Sequence, residues 1–282
     1  MTHDATDLRP EAFFDLSDFA HRALFDGKTY VWEALNAIPD YIDAFCASLD
    51  FDAGVAGDVE PGALILGERI TVASGAVIEA GAQIRGRDIY IAEGAVIEAG
   101  AYLKGERIYI GPGALVERAW LKGRRILVDR GAKVLVNTRL RDNVILSEGA
   151  EAGFAADIKN AVFLPYAAAA HFVYAGDSLV GRRANLADKT TLSNLRHDGQ
   201  APRLRVGDDL IDSVLRKFGA IIGDGVRTGC VTTTNPGTLV GPGVWTYDHS
   251  VLSGIIPPDT IIKHRQANDT ARRRADGWSR RP

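Results

Sequence analysis

Cysteine is nearly missing from this chain: its 282 residues contain 2, Cys46 and Cys230. With no CxxC spacing they cannot build a disulfide framework, so a reducing cytoplasm is the expected location. As residue types, both are expected to be ordinary buried thiols. An excess of positive charge is missing too, because 33 Lys and Arg face 36 Asp and Glu, for a formal net charge of -3. That balance lacks the basic surface that wholesale nucleic-acid binding needs, so nucleic acid is not expected as a partner. Long hydrophobic runs are also lacking. The most apolar stretch, AVFLPYAAAAHFVYAG from Ala161 to Gly176, is interrupted by His171 and is shorter than the roughly 18 residues a membrane helix needs, so no membrane partner is expected. MTHDATDLRPEAFF carries acids where a signal peptide needs a basic and then an apolar region, so export is not expected. No GxxxxGK[ST] phosphate loop occurs, and the first fifty or so residues show nothing like a nucleotidyltransferase domain.

What is present is an internal repeat. GAVIEAGAQIRGRDIYIAE from Gly75, GAVIEAGAYLKGERIYIGP from Gly94 and GALVERAWLKGRRILVDR from Gly113 are copies of one unit. Their aliphatics fall at Val72, Ile78, Ile84, Ile91, Ile97, Leu103, Ile110 and Val116, mostly six apart, with one seventh residue inserted per copy. A step of six does not suit a helix; it describes a short strand, a corner and another short strand, with glycine beside the corners. Three strands close a triangular coil, and coils stack as a parallel β-helix around a narrow aliphatic interior. The rhythm returns at Val180, Leu186 and Leu192, and again at Ile222, Thr228, Thr234, Val240 and Thr246, where threonines stand in for aliphatics.

Three regions follow: an N-terminal helical segment over 1–52, the β-helix over 53–262, and a C-terminal arm over 263–282. In the first, Leu24, Val31, Leu35, Ile38 and Ile42 recur at helical intervals, with Asp26-Gly27 as a turn and Pro39 as a break. Two or three short helices are expected there, capping the open end of the prism. Between Asn194 and Ile222 the hexads stop, so a loop at about 195–220 should leave the prism, with a possible helical turn at LIDSVLRKF.

The segment from Arg141 to Asn194 carries a spaced polar set: Arg141, Lys159, then HFVYAGD with His171, Tyr174, Gly176 and Asp177, then Asn185 and Asn194. With KFGAIIGDGVRTG from Lys217 and a tail holding Arg265 and Trp278, it resembles the acetyltransferase half of the bifunctional N-acetylglucosamine-1-phosphate uridyltransferase and glucosamine-1-phosphate acetyltransferase family over about residues 140–282. The resemblance implies an all-β, left-handed parallel β-helix that assembles as a homotrimer with sites in the clefts between prisms. It implies acetyl-CoA as cosubstrate, an amino sugar phosphate or nucleotide-linked amino sugar as acceptor, and no required metal. It makes His171 the general base, a task suited to imidazole, and gives Asn194 an acyl-oxygen or base-orienting role. Arg141, Lys159 and Lys217 would hold the phosphate, Tyr174 and Asn185 the sugar, and Ala187, Cys230 and Arg265 would face coenzyme A. Two departures stand out: the family's GAGT becomes Ala187-Asp188-Lys189-Thr190, and an aromatic becomes Leu195.

Other classes compete. A γ-class carbonic anhydrase on the same fold needs three converging imidazoles, and His171, His197, His249 and His264 lack paired spacing. A non-catalytic scaffold or regulatory subunit partnering a separate sugar nucleotidyltransferase is the stronger rival.

Overall fold

In the computed structural model, which describes residues 7–51 and 53–265, short parallel strands stack into a three-sided solenoid of about 11 turns. Face A is an eight-stranded parallel sheet running from Asp58–Val59 to Asn185–Leu186. Faces B and C share one sheet, because strands such as Gln83–Ile91 and Tyr102–Ile110 turn the corner between them unbroken. The repeated aliphatics do fill the interior: Val72, Ile78, Ile84, Ile91, Ile97, Leu103, Ile110 and Val116 are all fully buried in one column. The threonines of the second series are inside as well, and the hydroxyls of Thr228 and Thr246 find partners locally while that of Thr234 has none among the described residues. Thr246 Oγ1 accepts the Gly229 N–H at 2.9 Å and meets Thr232 Oγ1 at 3.0 Å.

Repetition also explains the glutamate in GAVIEAGA. Glu60, Glu79 and Glu117 each accept a backbone N–H of the next coil, from Ala80, Ala99 and Val136, at 2.8, 2.8 and 2.7 Å. In these three coils one side chain thus satisfies a corner amide that would otherwise lack a partner; Glu98, in the second copy, makes no such bond among the described residues.

Four expectations need correction. First, the N-terminal segment does not cap the open end; it lies along face C. Its side chains Leu24, Val31, Trp32, Leu35, Ile38 and Ile42 bury a second apolar layer against Tyr109, Leu127, Ile145, Val162, Leu179 and Ile221. The cause is that face C presents apolar side chains outward as well as inward, so it needs a cover along its length. Second, Pro39 does not break the helix: α1 spans Ala34–Ala47 through it. The buried stripe of Leu35, Ile38, Ile42 and Cys46 holds the helix to the face despite the missing amide. Third, LIDSVLRKF forms no helical turn. Arg203–Val206 and Asp209–Asp212 pair antiparallel across Gly207-Asp208, with Gly207 at φ +58, the left-handed geometry of a tight hairpin. Fourth, Cys46 is buried but Cys230 is exposed, because it sits at a solvent-facing corner where its N–H donates to Asp248 Oδ1 at 2.8 Å. No helix among the described residues is long and apolar enough to cross a membrane.

Candidate active site

The corner between faces B and C gathers several of the residues singled out by sequence. In successive coils the residue after the inward aliphatic is Arg141, Lys159 and then Gly176, with Lys159 paired directly to Gly176. Arg141 Nε donates to Asp157 Oδ1 at 2.8 Å, and its guanidinium carbon lies 5.9 Å from the centre of the Tyr174 ring. Tyr174 extends along face B, and its hydroxyl reaches Gly176. A Cβ placed there would come within 2.5 Å of that oxygen and 2.7 Å of Asn194 Nδ2. Gly176 is therefore the residue that lets a phenol and an amide converge on one spot.

Behind them runs a polar ladder. Asn143 Nδ2 donates to Asn160 Oδ1 at 3.3 Å, and Asn160 Nδ2 to Asp177 Oδ1 at 3.0 Å. Asn194 Nδ2 donates to Asp177 Oδ2 at 2.5 Å. Asn143, Asn160 and Asp177 hold φ of 61°, 46° and 49°, the left-handed corner geometry that Asn and Asp tolerate. Asn194 is thus fixed by the buried Asp177 carboxylate, with the other amide hydrogen uncommitted.

The excursion loop returns to the same corner. The Phe218 N–H donates to the Asn194 carbonyl at 2.9 Å and the Gly219 N–H to the Asp177 carbonyl at 2.8 Å, which sets exposed Lys217 beside this cluster. Phe218 is fully buried and packs on Trp32, with ring centres 5.9 Å apart, so the N-terminal layer anchors the loop.

Other predicted residues stand apart from the cluster. His171 ends the face A strand Ala168–His171 at the corner between faces A and B, where Phe172 takes φ 52°. Its imidazole is exposed and makes no hydrogen bond or ion pair with another described residue. Tyr174 follows it directly on face B, so the tyrosine links the histidine corner to the cationic one. Asn185 sits half-buried on face A, one rung below Ala168 and one above Arg227. The Ala187 amide donates to Thr228 Oγ1 at 2.8 Å, and the neighbouring Asp188 and Lys189 pair with each other at 3.6 Å. Cys230 and Arg265 are exposed. Trp278 lies outside the described residues. No group of three or more His, Cys, Asp or Glu that could hold a metal ion occurs among the described residues; the His249 and His264 rings lie 6.5 Å apart without a third ligand.

A shallow groove of about 600 Å³ runs down from Arg141 and Lys159 along the same corner, lined by Arg85, Lys104, Lys122, Arg124 and Arg139. These five cations were not among the expected site residues. Their signal was in the repeats, where each copy follows its aliphatic with a cation and a glycine: Ile84-Arg85-Gly86, Leu103-Lys104-Gly105, Leu121-Lys122-Gly123.

The fold defines a hexapeptide-repeat parallel β-helix with a cationic corner. The chain resembles the acetyltransferase half of bifunctional sugar-1-phosphate nucleotidyltransferase and acetyltransferase proteins. No protein-family model matches it. It is 30% identical over 127 residues to the bifunctional protein GlmU of Methanococcus aeolicus, covering 45% of this chain and 31% of that protein. It is 33% identical over 117 residues to the bifunctional sugar-1-phosphate nucleotidylyltransferase/acetyltransferase of Sulfurisphaera tokodaii, covering 42% and 29%. The chain thus matches less than a third of the length of these two curated relatives. Among solved structures, the acetyltransferase domain of PglB from Neisseria gonorrhoeae aligns over 81% of this chain and 63% of that one at 16% identity. Its TM-score of 0.20 adds nothing to the fold described above.

Proposed function

We propose that this chain is an acyltransferase that moves an acetyl group from acetyl-CoA to the amine of an amino sugar phosphate or a nucleotide-linked amino sugar. The observation that carries this reading is the gathering of Arg141, Lys159, Tyr174, Asn194 and Lys217 at one edge of face B, whose opposite edge carries the exposed His171 imidazole. The guanidinium and the two ammonium groups hold the sugar phosphate, the arginine through a fork that Asp157 orients. Tyr174 and Asn185 position the sugar. As the amine attacks the thioester carbon, His171 takes the ammonium proton; the tetrahedral intermediate then expels the coenzyme A thiolate, and the amide remains on the sugar. The free Asn194 amide hydrogen is suited to the acyl oxygen while charge develops there. Ala187, Cys230 and Arg265 would face the coenzyme.

The chain acts as a homotrimer in this reading, since His171 has no orienting partner among the described residues and a neighbouring prism can supply one. The Asp188–Lys189 ion pair, where the related proteins have small residues, favours the rival reading of a non-catalytic scaffold for a separate nucleotidyltransferase. One experiment separates them. Thiol release from acetyl-CoA is followed with glucosamine 1-phosphate and with nucleotide-linked amino sugars, for the native chain and for His171→Ala. Turnover should fall roughly 10² to 10⁴-fold in the variant with the circular dichroism spectrum unchanged. Unaltered turnover removes His171 from the chemistry, and failure to bind acetyl-CoA by calorimetry leaves the scaffold.

A further inference from the structure

Arg141 and Lys159 are the last members of a longer series. Arg85 pairs with Lys104 and Lys104 with Lys122 in parallel register. Arg141 and Lys159 extend the line, each following the paired inward residues Leu121, Leu140 and Ile158 by one position. Consecutive rungs are about 4.8 Å apart, so the cations form a straight rail along one corner. Like charges directly opposite one another repel, and this rail has little internal relief. Arg85, Lys104, Lys122 and Lys159 make no ion pair with any described residue, and of the two carboxylates lining the groove, Asp142 accepts the Arg124 amide at 2.7 Å. A chain of net charge -3 has therefore set seven cationic side chains around one groove. A sugar monophosphate would neutralise only its upper end.

Beside the rail stands a second feature. Trp120 is 56% exposed on face B, and its ring lies 5.9 Å from that of Tyr102. They precede Lys122 and Lys104 by two residues, so the aromatic pair and the cations stand on the same side of the same strands. A phosphate chain alone has no use for aromatic faces; a nucleobase does. From Trp120 the outward positions run through Arg139 and Asp157 to Tyr174. Those three rungs measure about 14 Å, comparable to the reach of an extended nucleoside-diphosphate sugar from base to sugar ring.

We infer that the acceptor is a nucleoside-diphosphate-linked amino sugar, its base on Trp120 and Tyr102, its diphosphate along Lys122, Arg141 and Lys159, and its amino sugar at Tyr174. This rests on the acyl-transfer reading above and fixes its substrate class. Calorimetry on the full chain, with uridine diphosphate, inorganic tripolyphosphate and glucosamine 1-phosphate as probes, tests it. Uridine diphosphate should bind at least about ten-fold more tightly than glucosamine 1-phosphate, and Trp120→Ala and Lys122→Ala should each weaken it by roughly ten-fold. Both variants should keep the native circular dichroism spectrum, so that a lost nucleotide site is told from a lost fold. Equal affinity for the two probes overturns the inference and leaves acyl transfer standing. So does tripolyphosphate binding that matches uridine diphosphate and ignores Trp120→Ala. Nucleotide binding that depends on Trp120 and Lys122, without transfer to any amino sugar, keeps the nucleotide site and overturns the acyl-transfer reading.

Discussion

Asp224 shows how much one side chain can connect. Its carboxylate accepts the Asp15 N–H at 2.6 Å and the Arg182 N–H at 2.7 Å, while its own N–H donates to the Phe13 carbonyl at 3.0 Å. It thereby ties the N-terminal layer to two adjacent coils. Burial pushes its carboxyl from 3.8 up to about 6, against the pull of those two amides and Arg182. The folded value lies above the unfolded one, so the folded chain holds the proton more tightly. Stability from this source is full below about 3.8 and is lost as pH rises through about 6. Urea unfolding of the native chain and Asp224→Asn should therefore diverge with pH, the native chain losing ground to the variant between about pH 4 and about pH 7. A stability difference that stays level across that range would show that the carboxylate is not strained by burial. His21 plays a similar tying role elsewhere in the layer: buried, its ring meets Tyr41 Oη at 2.8 Å and Asp129 Oδ2 at 3.2 Å, docking the segment rather than serving a site.

Helix α1 illustrates the next scale. Asp43 receives both arms of Arg125, at 2.7 and 2.6 Å, and Arg107 at 3.1 Å, so one carboxylate pins the helix to face C. Arg125 holds the Asp43 carboxyl below its ordinary range. Asp43→Ala leaves the Arg125 guanidinium, only 12% exposed, without its carboxylate, while Arg107 keeps Asp88 at 3.8 Å. The expected loss is on the order of 2 kcal/mol in a denaturant titration, whereas a change within about 0.5 kcal/mol would mean that apolar packing alone holds the helix. The same element marks where sequence reading stopped. The inward hexads were legible because Ile78, Ile84, Ile97 and Leu103 repeat at one spacing that only a coil explains. The cover on face C was legible too, although the expectation put it at the prism's end. Strands such as Arg125–Val128 and Val144–Leu146 are apolar without alternation, the pattern of a strand buried on both sides, whereas Lys133–Val134 and Arg139–Leu140 on the other faces alternate. The hairpin at Gly207-Asp208 was masked by LIDSVLRKF, whose apolar spacing suits a helical turn as well as a strand. At the site, Arg141, Lys159, Tyr174 and Asn194 could be named from the resemblance to a known family; the meeting of Tyr174 and Asn194 at Gly176 could not, because it depends on the reach of a tyrosine side chain across the face.

At the scale of the whole molecule, one face is covered and two are bare. Face C is sealed by the N-terminal layer, but the C-terminal coils leave Trp245 on face A 54% exposed and Val251 on face B 71% exposed, within a single turn of the solenoid. Large apolar side chains on two different faces of one turn suit a cyclic arrangement, in which face A of one prism meets face B of the next at the same height. An arrangement pairing identical faces would leave one of the two groups in water. A threefold ring would use both and would form three equivalent clefts. Sedimentation equilibrium should accordingly give three times the 30.3 kDa of one chain, and Trp245→Arg should yield monomers that keep the β-rich spectrum. If the clefts are where acyl transfer happens, those monomers lose turnover although residue 245 lies several coils from His171; monomers with native turnover would mean that each prism carries a complete site by itself.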